Sequence, residues 1–192
     1  MDETVVGVTP DALRHAMSQF AAGVTIVTAV LDGIPHALTA TAFSSVSLDP
    51  PLCLVCVGKS SRFHAAIIGA RRWAVSILAQ DQEPIARHFA HRGRDLLTQF
   101  DHVPHRPAPN CGAPLIEGAT TWLECVTSAE HEAGDHTVVI GEIVWVADAT
   151  ADALPLTHYR GNYHHLGRPT AGPRRDTDPD DRDRRPDLPP RV

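Results

Sequence analysis

The chain has 192 residues, of which 43% are hydrophobic and 21% are charged, and these values are typical of one globular domain with or without a tail. It carries 17 Lys and Arg against 23 Asp and Glu, and a net charge of -6 argues against a nucleic-acid-binding protein, which needs a basic face. No apolar run reaches the roughly 20 residues of a membrane-spanning helix, and the acidic start at residues 1–4 lacks the basic segment of a secretory signal. We therefore expect a cytoplasmic protein with no membrane or nucleic-acid partner.

In chain order, the first predicted element is a helix that Thr9 caps and Pro10 opens. Apolar side chains recur along it at the i, i+4, i+7 spacing of a single helix face, and they are Leu13, Met17 and Phe20. Gly23 is expected to end this helix, because glycine adopts the backbone conformation that closes helices.

Most of the remaining chain predicts strands. Apolar and β-branched runs bounded by turn residues lie at 24–30, 36–43, 52–57, 73–78, 120–132, 136–146 and 154–163. The pairs Asp32-Gly33 and Gly134-Asp135 predict hairpin turns, and short helices are expected after Ser60 or Ser61 and after Asp81. About seven strands with three short helices predict a mainly β protein, a closed or nearly closed antiparallel barrel with the helices at its rim.

Two segments have the composition of irregular chain. Residues 93–118 contain four prolines and predict a loop. Residues 168–192 contain six Pro, seven Arg and six Asp, and such a segment cannot bury enough apolar surface to offset its ordering entropy. The predicted organisation is therefore one domain over residues 1–167 and a disordered, solvated tail over residues 168–192.

Several kinds of site are not supported by the sequence. Cys53 and Cys56 have CxxC spacing, but residues three apart on a strand point to opposite faces, so this pair cannot share a metal ion. We expect reduced, buried thiols and no metal site. The sequence contains no G-x-G-x-x-G, no Walker-A loop and no G-x-S-x-G elbow. It therefore does not support a Rossmann nucleotide site or a serine hydrolase.

Three segments have the composition of a ligand site. Residues 39–51 are rich in small and hydroxyl side chains, which let a flat ligand approach the backbone. Residues 58–62 place Lys59, two serines and Arg62 where a strand meets a helix, and helix N-termini bind phosphate. Residues 134–142 place His136 after a Gly-Asp turn. Each segment is also compatible with ordinary turns and a solvated serine cap, so the residues alone leave both interpretations open.

Taken in order, these segments resemble the flavin reductase family with a split β-barrel, and in particular the small reductase component of two-component flavin-dependent monooxygenases. The resemblance runs from Leu13 to Leu166 and includes FAAGVTIVTA, PHALTATAFSSVSLDPPL, GKSSRF, AGDHTVVIGEI and PLTHYRGNY. It implies an antiparallel split β-barrel of the FMN-binding type and a homodimer with each flavin near the subunit interface. It also implies hydride transfer from NADH or NADPH to FMN or FAD, and supply of reduced flavin to a partner monooxygenase.

The resemblance also implies roles for individual residues. The isoalloxazine ring and ribityl chain would be lined by Thr39, Ala40, Thr41, Ser44 and Ser45. The phosphate end would be held by Val57, Gly58, Lys59, Ser60 and Ser61, with help from Phe89, Ala90 and Arg92. The catalytic residue would be His136, placed near the nicotinamide with Arg160 and Tyr163 close by.

The chain departs from the family pattern after Phe89. Relatives usually carry a Lys-Phe or Arg-Phe pair there, whereas this chain has Leu96-Leu97 within a longer Arg-rich stretch. The choice between FMN and FAD therefore stays open, as does the choice between NADH and NADPH. A non-enzymatic flavin-binding or electron-transfer module on the same barrel is the alternative function, and a relative of pyridoxine-phosphate oxidases or haem-handling barrels is a weaker one.

Overall fold

The structure is a computed structural model of the full chain, and it describes residues 7–150 and 153–167. The predicted tail at 168–192 lies outside the described residues. The helices are α1 (Pro10–Ser18), α2 (Arg62–Ala70) and α3 (Glu83–Ala90), the last preceded by a 3-10 turn at Gln80–Gln82. The strands are β1 (Ala22–Gly23), β2 (Thr25–Leu31), β3 (Ile34–Ala40), β4 (Phe43–Leu48), β5 (Pro51–Gly58), β6 (Arg72–Ile77), β7 (His105–Pro107), β8 (Pro114–Ile116), β9 (Thr121–Ala133), β10 (His136–Asp148), β11 (Leu156–Tyr159) and β12 (Asn162–His165). The protein is therefore mainly β with few helices, as predicted.

The central element is a seven-stranded sheet with the order β3-β2-β6-β9-β10-β5-β4, in which every neighbouring pair is antiparallel. Strands β1, β11 and β12 form a second, smaller sheet, and β7 pairs with β8. The predicted hairpin turns are confirmed. Asp32 and Gly33 both have positive φ, 52° and 76°, which is the geometry that a two-residue hairpin loop requires. In the described part of the chain, no helix is long and apolar enough to cross a membrane.

The main core lies between the sheet and α2. Trp73 is fully buried there with Phe63 and Ile67 of α2. Gly141 of β10 faces the Trp73 ring so closely that a Cβ at this position would lie 2.5 Å from Trp73 Cζ2. The glycine is required because the strand and the indole ring approach closer than any side chain permits.

A second core lies under α3. Phe89 of α3 is fully buried and packs with Leu78, Ile116 and Leu156, and its ring lies 5.1 Å from the ring of Phe100. This packing holds the carboxyl end of α3 and the loop that follows it beside β3. The space between these elements and the start of α2 forms a cavity.

Local signals correctly predicted two of the three helix starts. Thr9 Oγ1 accepts a hydrogen bond from the Ala12 N–H at 3.2 Å, and Ser61 Oγ accepts one from the Phe63 N–H at 3.2 Å. The predicted cap at Asp81 is wrong. Asp81 lies inside the 3-10 turn, and Gln82 is the N-cap of α3 without a side-chain capping bond to it. The Gln82 Oε1 instead accepts from the Ala79 N–H at 3.0 Å, which closes the start of the 3-10 turn.

Three predicted boundaries also need correction. The first helix ends at Ser18 with Gln19 as its C-cap, and Gly23 belongs instead to β1, where it pairs with Thr157 of β11. The strand predicted at 36–43 is β3, which starts earlier and stops at Ala40, and the chain then forms the separate strand β4.

The last two segments are more structured than predicted. The predicted loop at 93–118 contains the β7–β8 pair. The predicted final strand at 154–163 is a hairpin, which turns at Arg160 and Gly161 because both have positive φ.

Candidate active site

A cavity of about 630 Å³ opens between β3, the start of α2, the loop after α3 and the start of β10. Ten of the predicted site residues line it: Thr39, Ala40, Thr41, Gly58, Ser60, Ser61, Phe89, Ala90, Arg92 and His136. The cavity thus joins all three segments that the sequence analysis selected, although they are far apart along the chain. Its volume lies within the range of small-molecule and cofactor sites.

The end of β3 and the two residues after it, from Thr39 to Ala42, line the cavity with small side chains. Thr39 donates a hydrogen bond from its hydroxyl to the Ala86 carbonyl at 2.7 Å, which fastens β3 to α3. Ala40 is buried, and Thr41 and Ala42 are exposed where β3 ends. A wall of this kind lets a planar ligand lie close to the backbone, since no long side chain stands in front of it.

The turn between β5 and α2 forms the next wall. Ser61 caps α2, and the Lys59 N–H donates to the Asp135 carbonyl at 2.9 Å, which ties this turn to the β9–β10 turn. The Lys59 ammonium does not line the cavity, because it pairs with Glu132 at 3.5 Å on the outside. Lys59 therefore positions the turn through its backbone.

His136 lies where these two turns meet. Its Nδ1 is 2.7 Å from Asp135 Oδ1, and the hydrogen bond and charge of His136 lower the pKa of the Asp135 carboxyl. Its Nε2 faces Gly58, because a Cβ at Gly58 would lie only 3.5 Å from that atom. With Nδ1 oriented by the carboxylate, Nε2 is the ring nitrogen left to contact a ligand.

The opposite end of the cavity is lined by arginines. Arg94 donates to the Ala37 carbonyl at 3.0 Å and to the Phe89 carbonyl at 2.6 Å, and its guanidinium lies over the Phe89 ring. Arg62 donates from Nη2 to the Arg94 carbonyl at 2.8 Å. Burial and the nearby Arg62 charge lower the pKa of Arg94, and the same two causes lower the pKa of His36. This end of the cavity is therefore positively charged.

Six of the predicted site residues lie outside the cavity wall. Lys59 points outward, as described above, and Val57 is fully buried in the main core because its position on β5 faces inward. Ser44 and Ser45 are exposed on β4, beyond the point where the cavity wall ends at Ala42.

The two C-terminal residues are also displaced. Arg160 donates from Nε to Gln19 Oε1 at 2.7 Å, beside α1. Tyr163 packs under the Arg87 guanidinium on the outer side of α3. Both therefore lie away from the cavity of their own chain.

The structure also adds cavity residues that the sequence analysis did not select. They include His36, Cys56, Arg94 and Gln99. Arg62 and Asp135, which belong to the selected segments 58–62 and 134–142 but were given no role of their own, also line the cavity. The Arg-rich stretch after Phe89 was the available signal, because it departs from the family pattern. Cys56 faces the cavity whereas Cys53 is buried in the core, which confirms that the two thiols lie on opposite faces of β5.

Over residues 7–150 and 153–167, no group of three or more His, Cys, Asp or Glu side chains is arranged to hold a metal ion. Cys53 and Cys125 lie with their sulfur atoms 3.5 Å apart inside the core. The polar side chains that line the cavity are instead hydroxyls, guanidinium groups, imidazoles, the Gln99 amide and the Asp135 carboxylate, which is bonded to His136. The excess of cationic groups among them is suited to an anionic organic ligand.

Comparison with known proteins gives consistent matches. The family model described as a flavin reductase like domain matches residues 17–167. The chain is 44% identical to the NADH-dependent FAD reductase of Streptomyces globisporus over 133 residues, 69% of this chain and 72% of that protein. It is 40% identical to an NADH-dependent flavin reductase of a Rhodococcus species over 166 residues, 83% of this chain and 88% of that protein.

Solved structures agree with these matches. The NADH:FAD oxidoreductase SgcE6 of Streptomyces globisporus C-1027 has a TM-score of 0.77 and 38% identity, covering 84% of this chain and 97% of that chain. BorF, the flavin reductase component of a bacterial two-component tryptophan halogenase, has a TM-score of 0.77 and 38% identity, covering 82% of this chain and 98% of that chain.

Proposed function

Because this chain belongs to the flavin reductase like domain family, we propose that it is an NAD(P)H:flavin oxidoreductase that supplies reduced flavin to a partner flavin-dependent monooxygenase. The observation that carries the proposal is the single cavity in which the β3 wall, the α2 start and His136 come together. A wall of small side chains suits a flat ring system, and a helix N-terminus with arginines nearby suits a phosphate. The cavity therefore fits a flavin nucleotide.

We propose that the sheet closes as a split β-barrel. Strands β3 and β4 are the two edges of the seven-stranded sheet, yet only Thr41 and Ala42 separate them along the chain. The Cys56 N–H also donates to the Ala42 carbonyl at 3.0 Å. Since the two edges meet at one end, the sheet must curl, and the proposed split lies where they diverge.

The proposed assembly is a homodimer. Leu48 at the end of β4 is 95% exposed, and Val146 on β10 is 54% exposed. Apolar side chains on sheet edges and outer faces favour contact with another chain. Arg160 and Tyr163 lie outside the cavity of their own chain, so their predicted contact with the nicotinamide requires the second copy.

In the proposed reaction a hydride passes from nicotinamide C4 to flavin N5, and the two ring systems supply this chemistry when they are bound. The protein supplies position, because the rings must stack with the reacting atoms about 3–3.5 Å apart. The proposed ring contacts are Thr39, Ala40 and Thr41, whereas Ser44 and Ser45 lie on β4 beyond this wall. The proposed phosphate contacts are the cavity residues Gly58, Ser60, Ser61, Phe89, Ala90 and Arg92. Val57 and Lys59 are proposed only to position the turn between β5 and α2, since their side chains lie outside the cavity wall.

His136 is the proposed catalytic residue because it is the imidazole between the two tied turns. Asp135 holds its Nδ1, so that Nε2 is oriented toward the space beside Gly58. From there it would orient the nicotinamide or stabilise charge as the hydride leaves. No proton transfer is required of it, since hydride transfer moves no proton to the protein.

The test is NADH or NADPH oxidation at 340 nm with FMN or FAD, in all four combinations, using the full chain. Oxidation that depends on added flavin is the expected result, and it identifies both cofactors. Binding of flavin without oxidation in any pair would favour the flavin-binding module. If the protein neither binds flavin nor oxidises NADH or NADPH, a flavin function is refuted altogether.

A further inference from the structure

Two arginines from distant parts of the chain meet at one end of the cavity, and among the described residues neither has a counterion. Arg62 begins α2 and Arg94 lies in the loop after α3, and the Arg62 guanidinium donates to the Arg94 carbonyl at 2.8 Å. Within the described ranges neither side chain forms a salt bridge. The carboxylate that lines the cavity belongs to Asp135, which is already bonded to His136. An uncompensated pair of cations in a cavity wall favours an anionic ligand.

The two arginines have different tasks. Arg94 is committed to the protein, because its guanidinium donates to the backbone carbonyls of Ala37, Phe89, His88 and His91. Its Nε is buried and has no hydrogen-bond partner among the described residues. These bonds fix the loop after α3 against β3, and therefore also fix the Arg94 carbonyl that receives Arg62. Arg94 is a positioning residue.

Arg62 remains available to a ligand. Its side chain is exposed and lines the cavity, and its bond to the Arg94 carbonyl uses one of the five N–H donors of a guanidinium. Although Arg62 is the first residue of α2, directly after the cap Ser61, its guanidinium reaches across to the loop after α3. The cavity thus offers two neighbouring groups for phosphate, the α2 start and the Arg62 guanidinium.

Two neighbouring phosphate-binding groups match a pyrophosphate better than they match a single phosphate. A guanidinium bonds phosphate oxygens through two parallel N–H donors, which adds geometric selectivity to charge. We infer that Arg62, positioned by Arg94, binds the pyrophosphate of a flavin dinucleotide and makes this protein prefer FAD to FMN as its substrate. This inference rests on the proposed function, because it names the flavin that the same cavity takes.

The test compares the full-length wild type with Arg62→Gln, Arg94→Gln and the control Arg14→Gln. Arg14 lies on α1, is exposed and does not line the cavity, so its substitution removes the same charge at a distance. Binding of FAD and FMN is measured by titration calorimetry, and the KM values for FAD, FMN and NADH are measured at 340 nm. Thermal unfolding shows whether each variant is folded.

The wild type should bind FAD at least about tenfold more tightly than FMN, because FAD adds a charge-assisted bidentate contact. Arg62→Gln should weaken FAD binding by about tenfold or more and FMN binding by less than about threefold, with KM for NADH unchanged. Arg94→Gln should also weaken FAD binding more than FMN binding, since the loop after α3 loses the bonds that fix it and the backbone carbonyl of residue 94 that receives Arg62 is no longer held in place. Arg14→Gln should match the wild type.

Other outcomes overturn the inference. Equal losses for FAD and FMN would place Arg62 at the phosphate that both flavins share. A raised KM for NADH with unchanged flavin binding would assign the arginines to the pyridine nucleotide. Wild type that oxidises NADH equally well with both flavins would overturn FAD selection while leaving the proposed function intact. Wild type that binds FAD through Arg62 without any NADH or NADPH oxidation would instead refute the proposed function.

Discussion

Replacing Gly141 with alanine tests the packing of the main core. The added Cβ would lie 2.5 Å from Trp73 Cζ2 and 2.9 Å from Cys125 Cβ, whereas carbon atoms in contact prefer about 3.5–4.0 Å. The Trp73 ring must therefore move by about 1 Å. It is fully buried, and its Nε1 donates to Thr127 Oγ1 at 3.2 Å, so the movement also strains that hydrogen bond.

The expected loss of stability follows from these contacts. Overpacking a core costs about 1–3 kcal/mol, and weakening the Trp73 hydrogen bond adds about 1 kcal/mol. The lower backbone entropy of alanine in the unfolded chain offsets about 0.5–1 kcal/mol. Gly141→Ala should therefore lower the free energy of unfolding by about 1–3 kcal/mol.

The assay is urea unfolding followed by tryptophan fluorescence. Gly23→Ala is the matched control, because Gly23 is also in a strand but a Cβ there would meet nothing within 4 Å. The control should be neutral or stabilised by up to about 0.5–1 kcal/mol. If the free energy of unfolding of Gly141→Ala lies within about 0.5 kcal/mol of that of the control, the reasoning from the close approach of β10 to Trp73 is wrong.

Three further predictions concern the candidate site, the buried Glu124 carboxylate and the Cys111 thiol. His136→Ala should lower kcat/KM for NADH by about tenfold while leaving the affinity for FAD within about twofold of the wild type. Asp135→Asn should lower kcat/KM for NADH by less. Equal losses in kcat/KM for NADH and in FAD affinity would contradict the role assigned to His136. Glu124 is 1% exposed and accepts from the Asn110 side chain at 2.7 Å, so Glu124→Gln should cost about 2–3 kcal/mol in urea unfolding, and a neutral variant would refute it. Burial raises the pKa of the Cys111 thiol to about 11, so alkylation of Cys111 by iodoacetamide should be slow near neutral pH and accelerate as the pH rises toward that value; fast neutral labelling would contradict this.

Local backbone chemistry explains what the sequence predicted correctly. Thr9 and Ser61 cap helices because their hydroxyls bond N–H groups only two or three residues away. The Asp32-Gly33 pair sets a hairpin turn through its own φ angles. The opposite orientation of Cys53 and Cys56 follows from the two-residue period of a strand. None of these features depends on a distant part of the chain.

Neighbouring strands decide where elements end, and this explains the boundaries that were missed. Gly23 would close an isolated helix, but here it pairs with Thr157, more than a hundred residues later along the chain. Residues 43–48 form β4 because β5 lies beside them and bonds their backbone. Sequence periodicity carries no information about such partners.

The sequence by itself therefore determined the mainly β class, the hairpin turns, two of the three helix starts and the three segments that contribute to the cavity. Only the tertiary structure decided which side chains face that cavity. It turned Lys59 outward to Glu132 and brought Arg62 to Arg94, although the two arginines lie 32 positions apart along the chain. The physical reason is that a turn or a cap forms within a few residues, whereas the charge of a cavity depends on side chains that only folding brings together.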